Sequence, residues 1–398
     1  MRFLKGLIEW GKFFCALSLA FIARESFSQP TVISDWLLTP QHKITFETPQ
    51  QRTRPVIVGD LLFTADTQGN VYAYHRLDGY LLWRKKLEAG VDGALAYGRS
   101  KIFVGDLKGN LYALNSRDGS ESWRFKIQSE WLSAPFVYRD KVFVATSNDE
   151  LYALNEVRGT EVWHYSHRGD EKMTVRGTAA PTVFGNKVFM GFSDGNLVAL
   201  SLQDGRQIWV KRLKSRERFY DVDTTPYADG QGVIAASFDG KAYSLDPETG
   251  SIQWTFPAGA YASPLVEENR VYLSGLDGII YALDRQTSAV IWKSSRFDGV
   301  ALSATRAGDY LVVTTSSDPV LILDPKTGKT AFRENLGAGT LASATGSPDG
   351  WFYCLSNYSN LTSYRILDFL QKKGLETLSS PTAVIRDLGK SIDDRKDS

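Results

Sequence analysis

The chain has 398 residues, 43% of them hydrophobic, and its 46 Lys and Arg against 45 Asp and Glu leave a formal charge of +1. Such a balance gives no electrostatic footprint for nucleic acid, which excludes that class of partner. Cys15 and Cys354 are the two cysteines, too few for a disulfide scaffold.

At the N-terminus, Arg2, Lys5 and Lys12 precede an apolar run from Phe13 to Ala23, and Ser26-Phe27-Ser28 supplies small residues for cleavage. This pattern predicts a secretory signal peptide over residues 1–28, with Gln29 as the mature start. The 11-residue run from Phe13 to Ala23 is too short to span a bilayer. Phe13 and Phe14 stand where a lipoprotein signal has small residues before its cysteine, so no lipid anchor is predicted at Cys15. Removing residues 1–28 moves the formal charge from +1 to −1 and leaves Cys354 alone. Its place in an apolar strand makes it a small buried hydrophobe.

Lys43-Ile44-Thr45-Phe46 is the next strand candidate, and its partner emerges only at the far end of the chain. Beyond it one unit recurs, best seen in DLKGNLYALNSRDGSESW, residues 106–123. Asn110 to Asn115 alternates Leu111 and Ala113 against Tyr112 and Leu114, the period of a strand. SRDG follows as a tight turn in which Gly119 can adopt positive φ, and Trp123 ends a second short strand. One hairpin cannot bury its own apolar face, so it needs neighbours like itself.

Seven such units end at Trp83, Trp123, Trp163, Trp209, Trp254, Trp292 and Phe332, with spacings of 40, 40, 46, 45, 38 and 40. A glycine stands four residues before the aromatic in six of them. Each unit also has an earlier half. Lead-ins such as Ser133-Ala134-Pro135, Ala179-Ala180-Pro181, Thr224-Thr225-Pro226 and Ala262-Ser263-Pro264 precede an apolar strand like that around Phe143 or Phe189. Four strands per unit at this period predict propeller blades.

An eighth unit starts near Ala342-Ser343-Ala344, passes through Trp351-Phe352-Tyr353-Cys354 and stops at Ser363-Tyr364 without its last strand. Lys43 to Phe46 can supply it, which closes the ring and leaves no long edge exposed. The expected fold is therefore all-β: an eight-bladed β-propeller of four-stranded antiparallel blades over residues 29–367, closed by an N-terminal strand in the last blade. Residues 368–398 form a tail, with a short amphipathic helix from Ile366 to Leu378 and a charged, disordered end.

Catalytic signals are sparse. His164 and His167 are three apart in a connecting loop after Trp163, with no third ligand, and read as solvent-facing. Asp106, Asp194, Asp239 and Asp277 recur at one repeat position and read as turn-closing residues. The tryptophans read as wedges between blades. No nucleophile motif or calcium loop is present, so no cofactor, metal or catalytic residue is assigned.

Departures from the repeat are more informative. Connections before Phe189 and before Ile234 are five or six residues longer than the others, and insertions on one face of a repeat array often carry binding. They contain EKMTVRGTAAP and RERFYDVDTTP. Arg176 lies five residues before Pro181 and Asp221 five before Pro226, so the two are equivalent positions of adjacent blades with opposite charge. Asp223 points the same way as Asp221 in an extended segment, and Met173 and Val175 add an apolar pair. The loops are either a protein-binding patch or an ion pair that fastens two blades.

The small-D-x-x-x-G-x-x-x-W pattern resembles the pyrroloquinoline-quinone-type propeller repeat from about residue 43 to 367. Quinoprotein dehydrogenases of that group carry vicinal cysteines, which this chain lacks. MTVRGTAAPTVFG and DVDTTP are more similar to the BamB family of the outer-membrane β-barrel assembly machinery. That resemblance implies a non-enzymatic, monomeric periplasmic scaffold, held at the outer membrane through its partner. It implies that Met173, Val175, Arg176, Asp221 and Asp223 bind the periplasmic repeats of the barrel-forming subunit, with unfolded outer-membrane proteins as further clients. Met173 and Val175 stand where the family has leucines. Alternatives are a quinone-dependent oxidoreductase and a periplasmic glycan or peptide binder that uses the central funnel.

Overall fold

A computed structural model describes residues 30–39, 52–131, 133–167, 179–213, 222, 224–237, 240–317, 320–336, 339–357 and 360–367, with the backbone of 384–387. The described chain forms eight antiparallel blades arranged as a β-propeller. Blade two shows the plan, with strands Ala96–Gly98, Lys101–Gly105, Asn110–Asn115 and Glu121–Lys126 paired in that order. First strands of adjacent blades touch one another, so they surround the axis and the fourth strands form the rim. Burial follows from this stacking. Ile102, Phe103 and Val104 are covered from both sides by neighbouring blades, whereas Glu161–Ser166 on the rim alternates between covered and exposed positions.

The recurring aspartate closes the turn before the third strand. Asp106 accepts hydrogen bonds from the backbone N–H groups of Lys108 (3.0 Å) and Asn110 (2.9 Å), from the Asn110 amide and from the Tyr112 hydroxyl. It is fully buried, and these four donors satisfy a carboxylate that burial would otherwise penalise.

The aromatic sits mid-strand, not at a strand end, because the rim strand continues from Trp123 to Lys126. A β-bulge stands beside it in every blade. In blade two Trp123 faces Ala113 but Glu121 faces Leu114, which leaves Ser122 as the extra residue. The bulge strengthens the local twist and turns the indole toward the next blade. There the Trp83 Nε1–H donates to the Ser116 carbonyl (3.0 Å) and the ring lies on Gly119. A Cβ added at Gly119 would come within 2.7 Å of that ring. The same contact joins Trp123 to Gly159, Trp163 to Gly205, Trp209 to Gly250 and Trp292 to Gly328.

The closing strand differs from the expected one. Lys43–Phe46 lies outside the described residues, and the fourth place in blade eight is filled by Thr31–Thr39, antiparallel to Leu361–Leu367. Its bulge falls between Ser34 and Trp36, so Trp36 takes the position of the wedge. The Trp36 Nε1–H donates to the Arg76 carbonyl (3.0 Å), and its ring packs on Gly79. Phe332 replaces tryptophan at the one seam where the next blade has no hairpin between its third and fourth strands. Ile366 and Leu367, expected at the start of a helix, belong to the third strand of blade eight; residues 368–378 of that expected helix lie outside the described residues, and Val384–Asp387 pairs in parallel with Trp36–Thr39. Cys354 is buried in blade eight, and burial pushes its thiol pKa up.

Two substitutions read the wedge directly. Gly119 has φ 69 and no room for a methyl, so Gly119→Ala is expected to cost about 2–4 kcal/mol in denaturant unfolding. Blade six has Ser288 at the equivalent turn position, at φ 58, and Ser288→Gly should stabilise by up to about 1 kcal/mol. An unchanged midpoint for both would refute this account of the turn. Trp36→Ala should cost about 3–5 kcal/mol, and Trp36→Phe about 1 kcal/mol for the lost bond to Arg76. Equal losses for the two variants would mean that the hydrogen bond carries the closure alone.

Candidate functional site

The connections between blades and the turns between second and third strands share one face of the ring. In blade one this face is closed by two bonds, from Leu87 N–H to the Gly69 carbonyl and from Val91 N–H to the Asp66 carbonyl. Blade four makes the same pair with Leu213 to Gly195 (2.8 Å) and Val222 to Phe192 (3.3 Å). Four steps separate the anchors in blade one and nine in blade four, so the insertion is five residues held between two conserved-geometry clamps. Val222 is fully buried, and its carbonyl oxygen lies 2.2 Å from where a Gly191 Cβ would stand.

In blade three the first clamp is His167 N–H to the Asp149 carbonyl (3.0 Å). His167 therefore occupies the position held elsewhere by Leu87, Ile127, Leu213 and Phe297, and it roots the other insertion. It is not the solvent-facing loop residue expected. His164 lies within the rim strand, exposed and 2.8 Å from Glu161, but the His167 side chain is only 9% accessible. Its ring stacks on Phe192 at 4.3 Å, and its Nε2 is 2.8 Å from Asp194 Oδ2 across the seam to blade four. Burial alone would raise the Asp194 pKa, but the bond from His167 and those from Asn196 hold it below the usual carboxylate range. Asp149 and Ser193 bridge the same seam through the serine hydroxyl.

The downstream ends of both insertions meet as well. Ala180 N–H donates to the Thr225 hydroxyl at 3.0 Å, and the Thr224 hydroxyl is fixed to Ala236 by two backbone bonds. The two insertions thus re-enter the fold side by side, and Phe192 touches the exit of the first through His167 and the re-entry of the second through Val222. Met173, Val175, Arg176, Asp221 and Asp223 themselves lie outside the described residues. Sequence reading missed the His167 to Asp194 pair; its signal was a histidine at a repeat position that is otherwise apolar. Among the described residues no three His, Cys, Asp or Glu side chains converge to hold a metal.

A sequence profile described as "Outer membrane protein assembly factor BamB" matches residues 67–294, more than half of the chain. The chain belongs to the BamB family. A curated BamB of Legionella pneumophila (strain Paris) is 28% identical over 142 residues, 35% of this chain and 37% of that protein. The match thus spans little more than a third of that relative. Among solved structures, BamB from Moraxella catarrhalis superposes with a TM-score of 0.70 at 22% identity, covering 84% of this chain and all of that one. The quinohemoprotein alcohol dehydrogenase ADHIIG of Pseudomonas putida HK5 gives 0.69 at 14% identity, over 93% of this chain and 79% of that one. At these identities the two structures show the fold, an eight-bladed ring common to BamB-family proteins and quinoproteins.

The seam at the insertions has a predictable acid response. A carboxylate whose pKa is lowered by folding contributes stability above its unfolded value of 3.8, and that contribution is lost as the pH falls through the folded value. Asp194→Asn should therefore lower stability by about 1–3 kcal/mol at pH 7. The difference from wild type should start to shrink as the pH falls below 3.8 and go on shrinking through the lower folded value. A difference that stays constant down to pH 3 would show that Asp194 acts through packing.

Proposed function

We propose that the chain is a non-enzymatic scaffold of the periplasm that binds the periplasmic repeats of the barrel-forming subunit of the outer-membrane assembly machinery. It is held at the outer membrane through that partner. The bond from Ala180 to Thr225 carries this reading, because it roots the two insertions of a BamB-family propeller side by side. Arg176 with Met173 and Val175 on one insertion, and Asp221 with Asp223 on the other, are the residues assigned to this contact, and they offer it both charges. Val222, the described residue between the two aspartates, is buried.

The rim supports a second contact with β-rich clients. Val162, Ile208 and Val210 are each close to half exposed on the fourth strands of blades three and four, and Leu82, Ile252, Val290 and Ile291 are exposed on those of blades one, five and six. An apolar, open strand edge of this kind accepts an extended segment through main-chain bonds. Binding rather than reaction is favoured because the departures from the repeat are loops, and the likeness to quinoprotein enzymes extends to the fold at 14% identity.

Co-purification with the tagged barrel-forming subunit tests the patch. Arg176→Ala and Asp221→Ala should each reduce recovery about tenfold or more, as loss of a charged hot spot does. Recovery equal to wild type for both variants would sink the assignment.

A further inference from the structure

One repeat position faces the axis in all eight blades, and it is the second residue of each lead-in. Blades two, three and four place Ala94, Ala134 and Ala180 there, and these line the central cavity. Blades five to eight place a hydroxyl, on Thr225, Ser263, Ser303 and Ser343, along the same wall. Blade one breaks the series with Arg54, from the lead-in Thr53-Arg54-Pro55. A cation with a long side chain at a position otherwise kept small is not what packing around a crowded axis requires.

The arginine is held by one edge. Its Nε–H donates to the Thr345 hydroxyl of blade eight (3.1 Å), and that hydroxyl donates to the Pro55 carbonyl. The terminal amino groups have no acidic partner among the described residues. Protein surrounds Arg54 on every side of the ring, and burial pushes its pKa below the usual arginine value, yet the side chain remains open to the water of the funnel. Among the described lining residues Arg52 and Asp92 face each other at 3.7 Å, which leaves the Arg54 charge without a described counterpart. Its volume of about 210 Å³ is below the ~300–1,000 Å³ of pockets for drug-sized ligands, which limits the occupant to a small molecule or a chain end.

From this we infer that the axial funnel is a carboxylate-binding site in which the free edge of the Arg54 guanidinium takes the two carboxylate oxygens. The hydroxyls of blades five to eight would bond the polar body of the same ligand, and the alanines of blades two to four would cover its apolar side. Two amino groups in one plane match a carboxylate bidentately, whereas an ammonium does not. The ligand is either a free hydroxy acid or the C-terminal carboxylate of a peptide. The site shares Ala180 and Thr225 with the roots of the insertions, and carboxylate binding is read apart from the partner proposed to bind the loops.

Calorimetric titration of the full chain with L-malate, and with the tripeptide Gly-Ser-Ala as free acid and as C-terminal amide, tests it. A saturable response at about 1 mM or tighter is expected for malate or the free-acid peptide, and none for the amide. Whichever carboxylate responds names the source. Arg54→Gln keeps a donor for Thr345 without the charge and should weaken binding at least about tenfold, and Arg54→Lys should not restore it. Thermal melts of each variant verify that it is folded. No response to either carboxylate, equal binding of the amide, or wild-type affinity in a folded Arg54→Gln would overturn the inference.

Discussion

An indole laid on a glycine of the next blade, with its N–H spent on a carbonyl of the same turn, is the interaction on which the ring depends. A single blade has two apolar faces and no means of covering either. The wedge fixes the angle between neighbours, because the bulge beside each tryptophan sets its direction and the glycine sets its depth. Apolar clusters then form between blades and not within them, as in the set joining Phe63 and Trp83 to Ile102 and Val104. Every blade is thus stabilised by its neighbours, and the array gains cooperativity only when it is continuous.

That rigidity is what gives the insertions meaning. In blades one and four the crossing chain is clamped by the same two backbone bonds, although the segment between them is short in one and long in the other. Extra residues are therefore added without disturbing the blades. At the seam of blades three and four the clamp is reinforced by His167, Asp194 and Phe192, so the loop roots are better fixed than those of a plain connection. A binding loop on a fixed root loses less conformational freedom when it engages a partner.

The blades were legible because their chemistry repeats: an aspartate, a glycine and an aromatic at constant spacing have one structural solution. The closing strand was misplaced because its signal is a lone tryptophan. Trp36 sits in TVISDWLLT without the preceding glycine turn, since blade eight borrows that strand from the other end of the chain. Phe46 offered an aromatic at a similar distance and no bulge to distinguish it. His167 was read as loop because the rim strand was expected to end at Trp163, three residues before it does. Arg54 was overlooked for the opposite reason: a lead-in of Thr, Arg and Pro does not look like its small-residue equivalents until all eight are aligned. The insertions were found by length alone, and their roots by the structure.

Closure by Thr31–Thr39 also sets the order of assembly. Thr31 pairs with Leu367, 336 positions later, so the first strand to emerge waits for nearly the last. Blades one to seven can add in sequence by local contacts, each templated by its predecessor. The final seam instead joins distant segments, which makes it a slow, non-local step. It is tied by more than the wedge: Arg76 bonds Asp349 across it at 2.6 Å, and the Tyr353 hydroxyl donates to the carbonyl that Trp36 uses. Until the seam is made, the blade-one and blade-eight faces that carry these contacts lack their cover.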